Sequence, residues 1–383
     1  MKKVRLGDIC TVVSGTTPKS HVDEYWNGDK VWITPAEINE DTLVVTDSVR
    51  HISESAVKDS SLKSFPKGTV ILSSRAPIGK TAIAGCEMYC NQGFKNLICS
   101  EKINNLYLLY FLRSRKDYLN SLGRGATFKE ISKGIVENIK VPLPSIDTQI
   151  QIGNRIRTIE KLIGLRKKQL FLLDDLIKSR FVEMFGDGNY SICNLYQVSN
   201  IVSGITKGRK TKDNNLLEVP YMAVSNVKRG FIDWSTIKTI LATKAEVEQY
   251  RLKSNDVLIT EGGDPDKVGR GAVIINPPKN CIHQNHIFRV RLNCNLLTPE
   301  YFEEYLQCKS ARKYFLKAAK QTTGIASINM KQLRGLPVAL PPIGEQIRFS
   351  IFTHHIDKSK LAVQKSLEEL EKLKNSLMQQ YFD

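Results

Sequence analysis

The sequence predicts an α+β protein made twice over: two tandem α+β domains, each followed by a long α-helix, the two helices forming an antiparallel coiled coil about a pseudo-two-fold axis. Three observations carry this. The chain of 383 residues repeats itself once, each copy changes texture once along its length, and each copy ends in a proline-free run with apolar residues at helical spacing. The length suits two domains of ordinary size plus connecting helices.

The repeat is read from ordered matches. VSGTTPK at 13–19 is answered by VSGITKG at 202–208, WITPAEIN from Trp32 by YMAVSNV from Tyr221, and GTVILSSRAPIGKTAIAG from Gly68 by NDVLITEGGDPDKVGRGAVI from Asn255. NQGFKNLIC from Asn91 is answered by HQNHIFRV from His283, and VPLPSIDTQIQI at 141–152 by VALPPIGEQIRF at 338–349. The spacing is about 190 residues, far beyond the roughly 20 to 50 residue periods of solenoids, so each copy is a domain in its own right. This gives a first domain at 1–145, a long helix at 146–186, a second domain at 187–343 and a second long helix at 344–383.

Within each domain, short β-rich runs at 69–72 and 256–260 alternate with Gly, Pro and Asn turns, and helical stretches fall near 107–119 and 299–319. The tails read differently. Ile152, Ile159, Ile163, Leu170, Leu173, Ile177 and Met184 recur at steps of about 3.5 residues in the first, as do Phe349, Phe352, Ile356, Val363, Leu367, Leu370, Leu377 and Tyr381 in the second. Asp147 and Gly344 stand near the helix starts, with Pro just upstream. A helix of about 36 residues spans about 54 Å and needs packing to persist. Arg166, Arg180 and Lys374 fall in core-register positions, a pattern that specifies register in a coiled coil. Leu162, Leu165, Leu172, Leu176 and Phe181 widen the apolar face beyond a two-helix seam. The helices are therefore either a rigid spacer alone or a spacer that also docks a partner. They can satisfy each other, so one copy per complex is expected rather than a homodimer.

Hydrophobic residues at 41% exclude wholesale disorder. The longest apolar stretch, 106–112, is far short of the roughly 18 to 20 residues that cross a bilayer, and the N-terminus lacks a signal-peptide core, so a cytoplasmic location is expected. Eight cysteines are scattered without a CxxC pair, which reads as reduced, mostly buried thiols and no metal site. The charge is more telling. Against 39 Asp plus Glu stand 56 Lys plus Arg, a net +17. Such a surplus suits a polyanion, because each phosphate neutralised releases condensed counterions.

The textures SGTTP, YWNGDKVWITPAEI, GTVILSSRAPIGKTAI, NQGF and GATFKEISKGIVENIKVPLPSIDTQIQI, recurring in order with the long tails in place, closely resemble the specificity subunits of type I restriction-modification systems. The resemblance covers essentially the whole chain. It implies that each domain is a target recognition domain reading one half of a bipartite, asymmetric sequence in double-stranded DNA. It also implies that the helices fix the gap and bind two modification subunits, with restriction subunits joining that core. Methyl transfer from S-adenosylmethionine and cleavage driven by ATP with Mg would belong to those partners, so this chain would be no enzyme and hold no cofactor. The second copy departs from the pattern: VSGITKG lacks the Pro of SGTTP, and YMAVSN stands for WITPAE.

Three strings invite an enzymatic reading. Asn276-Pro277-Pro278-Lys279 has Lys279 where a base-flipping adenine methyltransferase needs an aromatic, and no Gly-rich loop follows a strand to bind S-adenosylmethionine. The run from Ser74 to Thr81 has Ser74 in place of the first P-loop glycine, and Pro77 removes a phosphate-cradling N–H. Glu261, Asp264, Asp266 and Lys267 resemble a scrambled nuclease cluster, better read as a solvated loop. The pairs His354/His355 and His283/His286 lack a third ligand nearby. A self-contained nuclease or methyltransferase therefore lacks its cofactor motif. A coiled-coil adaptor with no duplex preference remains the contrasting possibility.

Readers of base pairs should be Arg, Lys, Asn and Gln on loops, whose donors and acceptors match the major-groove pattern. The candidates are Lys207, Arg209, Lys210 and Lys212 in the second copy, with Lys19 as the first-copy counterpart; Arg75 and Lys80, answered by Lys267 and Arg270; and Gln92 with Lys95, answered by Gln284 with His286. Arg124, between two glycines, is a candidate phosphate contact. The recurrence of glutamine at Gln92 and Gln284 also suggests a structural hydrogen bond common to both copies.

Overall fold

The computed structural model describes residues 2–75, 77–125, 129–186, 188–209, 215–264, 268–322 and 325–382, the side chains of 321, 322 and 325 excepted. They form two compact units, one of Met1–Lys168 with Gln364–Asp383 and one of Gln169–Val363. The unit boundary falls inside the two long helices, Ile146–Phe185 and Ile343–Phe382, each of 40 residues and so about 60 Å long.

In unit 1 a sheet orders Cys10–Ser14, Lys95–Cys99, Val70–Leu72, Thr81–Ala84 and Val44–Val45. A smaller one orders His51–Ile52, Lys30–Ile33 and Tyr89–Cys90. Val70, Ile71 and Leu72 are buried on both faces, which is why this strand reads as an unbroken apolar run. Unit 2 repeats the plan. Ser199–Ser203, Ile287–Leu292, Val257–Thr260 and Gly271–Val273 form one sheet, and Lys238–Ala242, Leu217–Met222 and Ile282–His283 another. In each unit the first strand pairs antiparallel with the last before the long helix: Lys3–Arg5 with Lys140–Pro142, and Ser191–Asn194 with Pro337–Leu340.

The helical stretches near 107–119 and 299–319 each form two helices, not one. They are Asn105–Ser114 then Lys116–Ser121, and Pro299–Gln307 then Lys309–Ala318. The breaks fall at matching positions, where Arg115 and Cys308 leave helical backbone angles. Only Cys10, Cys90 and Cys281 are buried among the eight thiols, and Cys294 is exposed, so burial of most of them does not hold.

The repeated motifs are explained by contacts made once in each unit. In VSG, a Cβ on Gly15 would sit 2.1 Å from the Asn91 carbonyl oxygen, and one on Gly204 would sit 2.0 Å from that of His283. Backbone passes too close to backbone there for any side chain. Gly15→Ala should cost about 2 kcal/mol, the usual penalty for overpacking, and a denaturant midpoint shift in the full chain measures it. In LPSIDTQ and LPPIGEQ the shared glutamine does the work. Buried Gln149 donates from Nε2 to the carbonyls of Pro144 (2.9 Å) and Lys102 (3.1 Å) and accepts the Asn104 amide at 2.9 Å. Gln346 donates to Pro341 (2.8 Å) and Leu296 (3.1 Å) and accepts the Thr298 amide at 2.9 Å. Each carboxamide thus ties the start of a long helix to the loop that leads into the domain helix.

Within unit 1, Lys374 Nζ pairs with Glu160 at 2.8 Å, Lys167 with Glu371 at 3.7 Å, and Arg155 donates to the Tyr381 hydroxyl at 3.2 Å. Within unit 2, Lys360 pairs with Asp174 at 2.7 Å, and the Phe181 and Phe349 rings meet at 5.6 Å. In both, numbers rise along one helix as they fall along the other, so the segments run antiparallel. Along the expected seam, Ile159, Ile163, Ile177, Val363 and Leu367 are buried, and Leu170, Leu173, Ile356, Leu370 and Leu377 are half-buried. Leu162, Leu165, Leu172 and Leu176 are exposed, but Phe181 is not: it packs on Tyr301 and Phe349 in the unit 2 core. Its place as part of a docking face is therefore withdrawn.

Candidate nucleic-acid interface

Unit 1 gathers three of the expected readers around one cleft of about 310 Å³, lined by Thr34, Pro35, Arg75, Lys80, Asn91 and Gln92 among others. Its floor is set by local structure. Thr34 and Glu37 form a reciprocal cap on the short turn that follows strand Lys30–Ile33. Glu37 also accepts from Ser48 and Val49, and these hydrogen bonds outweigh its burial and hold its carboxyl below the usual range. Lys80 spans the cleft to donate to the Pro35 carbonyl at 2.8 Å. Gln92 is exposed and its side-chain oxygen accepts from the Thr17 hydroxyl. Arg75 is partly exposed, with its Nε 3.9 Å from Glu130.

Lys95 does not join them outward. It is buried, with its ammonium 3.2 Å from Glu130 and 3.4 Å from the Ser74 hydroxyl. It braces strand Lys95–Cys99 against the bridge between Arg124 and Glu130, and a side chain so placed cannot reach a duplex. Arg124 itself is exposed beside Gly125, whose φ of 126° lies in the region that favours glycine. Lys19 is exposed, and its carbonyl accepts from the Trp26 indole at 3.3 Å.

Unit 2 places its candidates differently. Lys207 is exposed, next to Gly208 at φ +76°. Arg209 is turned back onto the domain: both arms of its fork meet Glu246, and it donates to the Leu241 carbonyl at 3.2 Å. The Arg209 hydrogen bond drives the Glu246 carboxyl below its ordinary range, so this guanidinium is spent on the fold. Arg270 matches Lys80, since Thr260 donates to the Arg270 carbonyl as Ser73 does to Lys80. Its Nε is buried with no hydrogen-bond partner among the described residues. His286 is exposed and meets Glu261 Oε2 at 2.6 Å through Nδ1. Lys210, Lys212 and Lys267 lie outside the described residues.

Strand register corrects the pairing of the glutamines. Ser14 faces Lys95 and Ser203 faces Phe288, while Asn91 and Gln284 both donate their amides to the parallel strand, to Ile33 and Met222. Gln284 thus answers Asn91, and Gln92 answers Asn285. Gln284 accepts the Val224 amide at 3.3 Å, which is structural, whereas Gln92 stays on the surface. The sequence missed Lys320, which is exposed on strand Lys320–Thr322 and pairs with Ser327 as Arg124 pairs with Glu130. Counting back from Ile131 and Ile328 sets Arg124 opposite Gln321, one residue past Lys320, so repeat alignment alone does not single it out.

The unit 1 cleft and the repeated plan sit on a chain of net charge +17. A family model described as the type I restriction modification DNA specificity domain matches residues 1–172 and again 189–372. The chain belongs to the type I DNA specificity family. Relatives with the same architecture of name include the type I restriction enzyme MjaIX specificity subunit of Methanocaldococcus jannaschii, 26% identical over 99% of this chain and 91% of that one. The EcoKI specificity subunit of Escherichia coli is 23% identical over 88% and 78%. The crystal structure of a type I S subunit from M. genitalium shares the fold at a TM-score of 0.59 and 13% identity, covering 100% and 96% of the two chains. Both copies of the family domain coincide with the internal repeat, so this specificity protein carries two DNA recognition domains. Among the described residues no helix is long and apolar enough to cross a membrane, and no cluster of His, Cys, Asp and Glu is fit to hold a metal ion.

Proposed function

We propose that this chain is the non-catalytic reader of a type I complex, each unit recognising one half of a bipartite target in double-stranded DNA. The observation that carries the reading is the unit 1 cleft, where Arg75, Lys80 and Gln92 converge. Arg75 is the strongest base reader there, because a guanidinium fork fits guanine O6 and N7 in the major groove. Lys19, Arg124, Lys207, Arg270 and Lys320 serve the phosphates. The long helices form an antiparallel coiled coil that sets the gap between half-sites. Two modification subunits dock on the exposed Leu162, Leu165, Leu172 and Leu176 faces, and restriction subunits join that core. S-adenosylmethionine, ATP and Mg act in those partners, and the complex works in the cytoplasm.

The test is selection of targets from a random duplex library by the complex with modification subunits. Two different short motifs at constant spacing are expected, and Arg75→Ala should weaken one of them by roughly 10- to 100-fold, about 1–3 kcal/mol, leaving the other intact. Methylation by the chain alone, or equal retention of duplex DNA and RNA, would overturn the reading.

A further inference from the structure

The two units differ at one position of the repeat that their backbone hydrogen bonds define. Ser74 donates its amide to Gly93 and its carbonyl receives the Ile131 amide; Glu261 does the same with His286 and Ile328. Glu261 therefore occupies the Ser74 position, and Gly262 occupies that of Arg75. Where unit 1 offers a cationic fork beside a buried serine, unit 2 offers a carboxylate beside a bare glycine.

The setting of Glu261 is built, and it is not the solvated loop expected from sequence. Its backbone is held on both sides, by the His286 carbonyl at 3.0 Å and the Ile328 amide at 2.8 Å. Its Oε2 is held by His286 Nδ1, while Oε1 has no partner among the described residues. The side chain is only about a third exposed. Arg270 reaches this strand through its carbonyl, which accepts the amide of Thr260, the residue before Glu261. A negative charge on a face that meets phosphates is repelled by every sequence alike. It gains only where a base presents a donor, and a fixed carboxylate accepts from an exocyclic amine. A side chain immobilised before binding also loses little rotamer freedom on contact.

We propose that Glu261 is the specificity-determining residue of unit 2, accepting through Oε1 from an exocyclic base amine, cytosine N4 or adenine N6, with His286 as its positioning residue. This rests on the reading of unit 2 as a DNA recognition domain. The complex of the full chain with its modification subunits is offered a duplex library carrying all four bases at each position of the unit 2 half-site. Wild type and Glu261→Gln are compared, since the amide keeps the shape and can still accept from His286 but replaces one acceptor by a donor. At one position of that half-site wild type should enrich cytosine or adenine at least tenfold, which assigns N4 or N6. Glu261→Gln should lose that preference while the unit 1 half-site stays as it was. Glu261→Asp and His286→Ala should blur the preference at that same position. Enrichment of guanine or thymine there, or Glu261→Gln with every preference unchanged or every affinity lowered evenly, overturns the proposal. A wild-type complex with no sequence preference in either half-site would instead overturn the underlying reading.

Discussion

Gln149→Ala should strip the Asn104 amide of its protection from hydrogen exchange by about three orders of magnitude, while the Thr298 amide in unit 2 keeps its own. The carboxamide is fully buried and makes three hydrogen bonds, all to main chain. Truncation orphans one amide and two carbonyls where water is scarce, and each unsatisfied buried group costs about 1–3 kcal/mol. A total of about 4 kcal/mol converts to the stated loss of protection. Gln346→Ala should produce the mirror result, exposing Thr298 and sparing Asn104. If either variant loosened both amides equally, the two anchors would not be independent, and the division into two separately stabilised units would fail.

Unit 2 should be most stable between about pH 4.5 and 6.5 and weaken on either side, in opposite senses for two buried groups. Burial lowers the His283 pKa to about 3 from 6.5. The folded state refuses a proton that the unfolded chain takes, so this contribution is complete above pH 6.5 and is lost as pH falls toward 3. Burial raises the Glu303 pKa to about 8 from 4.5, although its oxygen accepts the Val273 amide at 2.7 Å, with Glu304, Asp357 and Glu300 adding repulsion. A raised carboxyl pKa stabilises fully below 4.5 and its contribution is lost as pH climbs to 8. Between the two unperturbed values the slopes oppose each other. From pH 6.5 to 8 only Glu303 acts, at no more than about 1.4 kcal/mol per unit, or about 2 kcal/mol. Glu303→Gln, which keeps the acceptor for Val273, should abolish that alkaline decline and leave the acid limb in place. Thermal melts at pH 3.5, 5.5 and 8 read both limbs, and an alkaline decline that persists in the variant would refute the assignment.

The architecture was legible in the sequence because it is written in period and order: the repeat, the apolar spacing of the tails and the strand runs at 70–72 and 257–260 all depend on residue type alone. The helix breaks at Arg115 and Cys308 were not, since neither residue is the glycine or proline that marks a helix end in sequence. The site was legible only as a list of cations. Arg75 and Lys80 look alike in sequence to Lys95 and Arg209, yet carboxylates distant in the chain, Glu130 and Glu246, turn the latter two inward. Glu261 was passed over because an acidic loop next to Asp264 and Asp266 has no visible partner until His286, on another loop, is brought to it.

The pairing of opening and closing strands, Lys3 with Pro142 and Ser191 with Leu340, brings the entrance and exit of each recognition module side by side. A segment delimited in this way behaves like a cassette: recombination can exchange what lies between the two strands without rerouting the chain outside them. New specificities would then arise by trading a whole half, with Gln149 or Gln346 re-forming the same joint behind whichever cassette arrives.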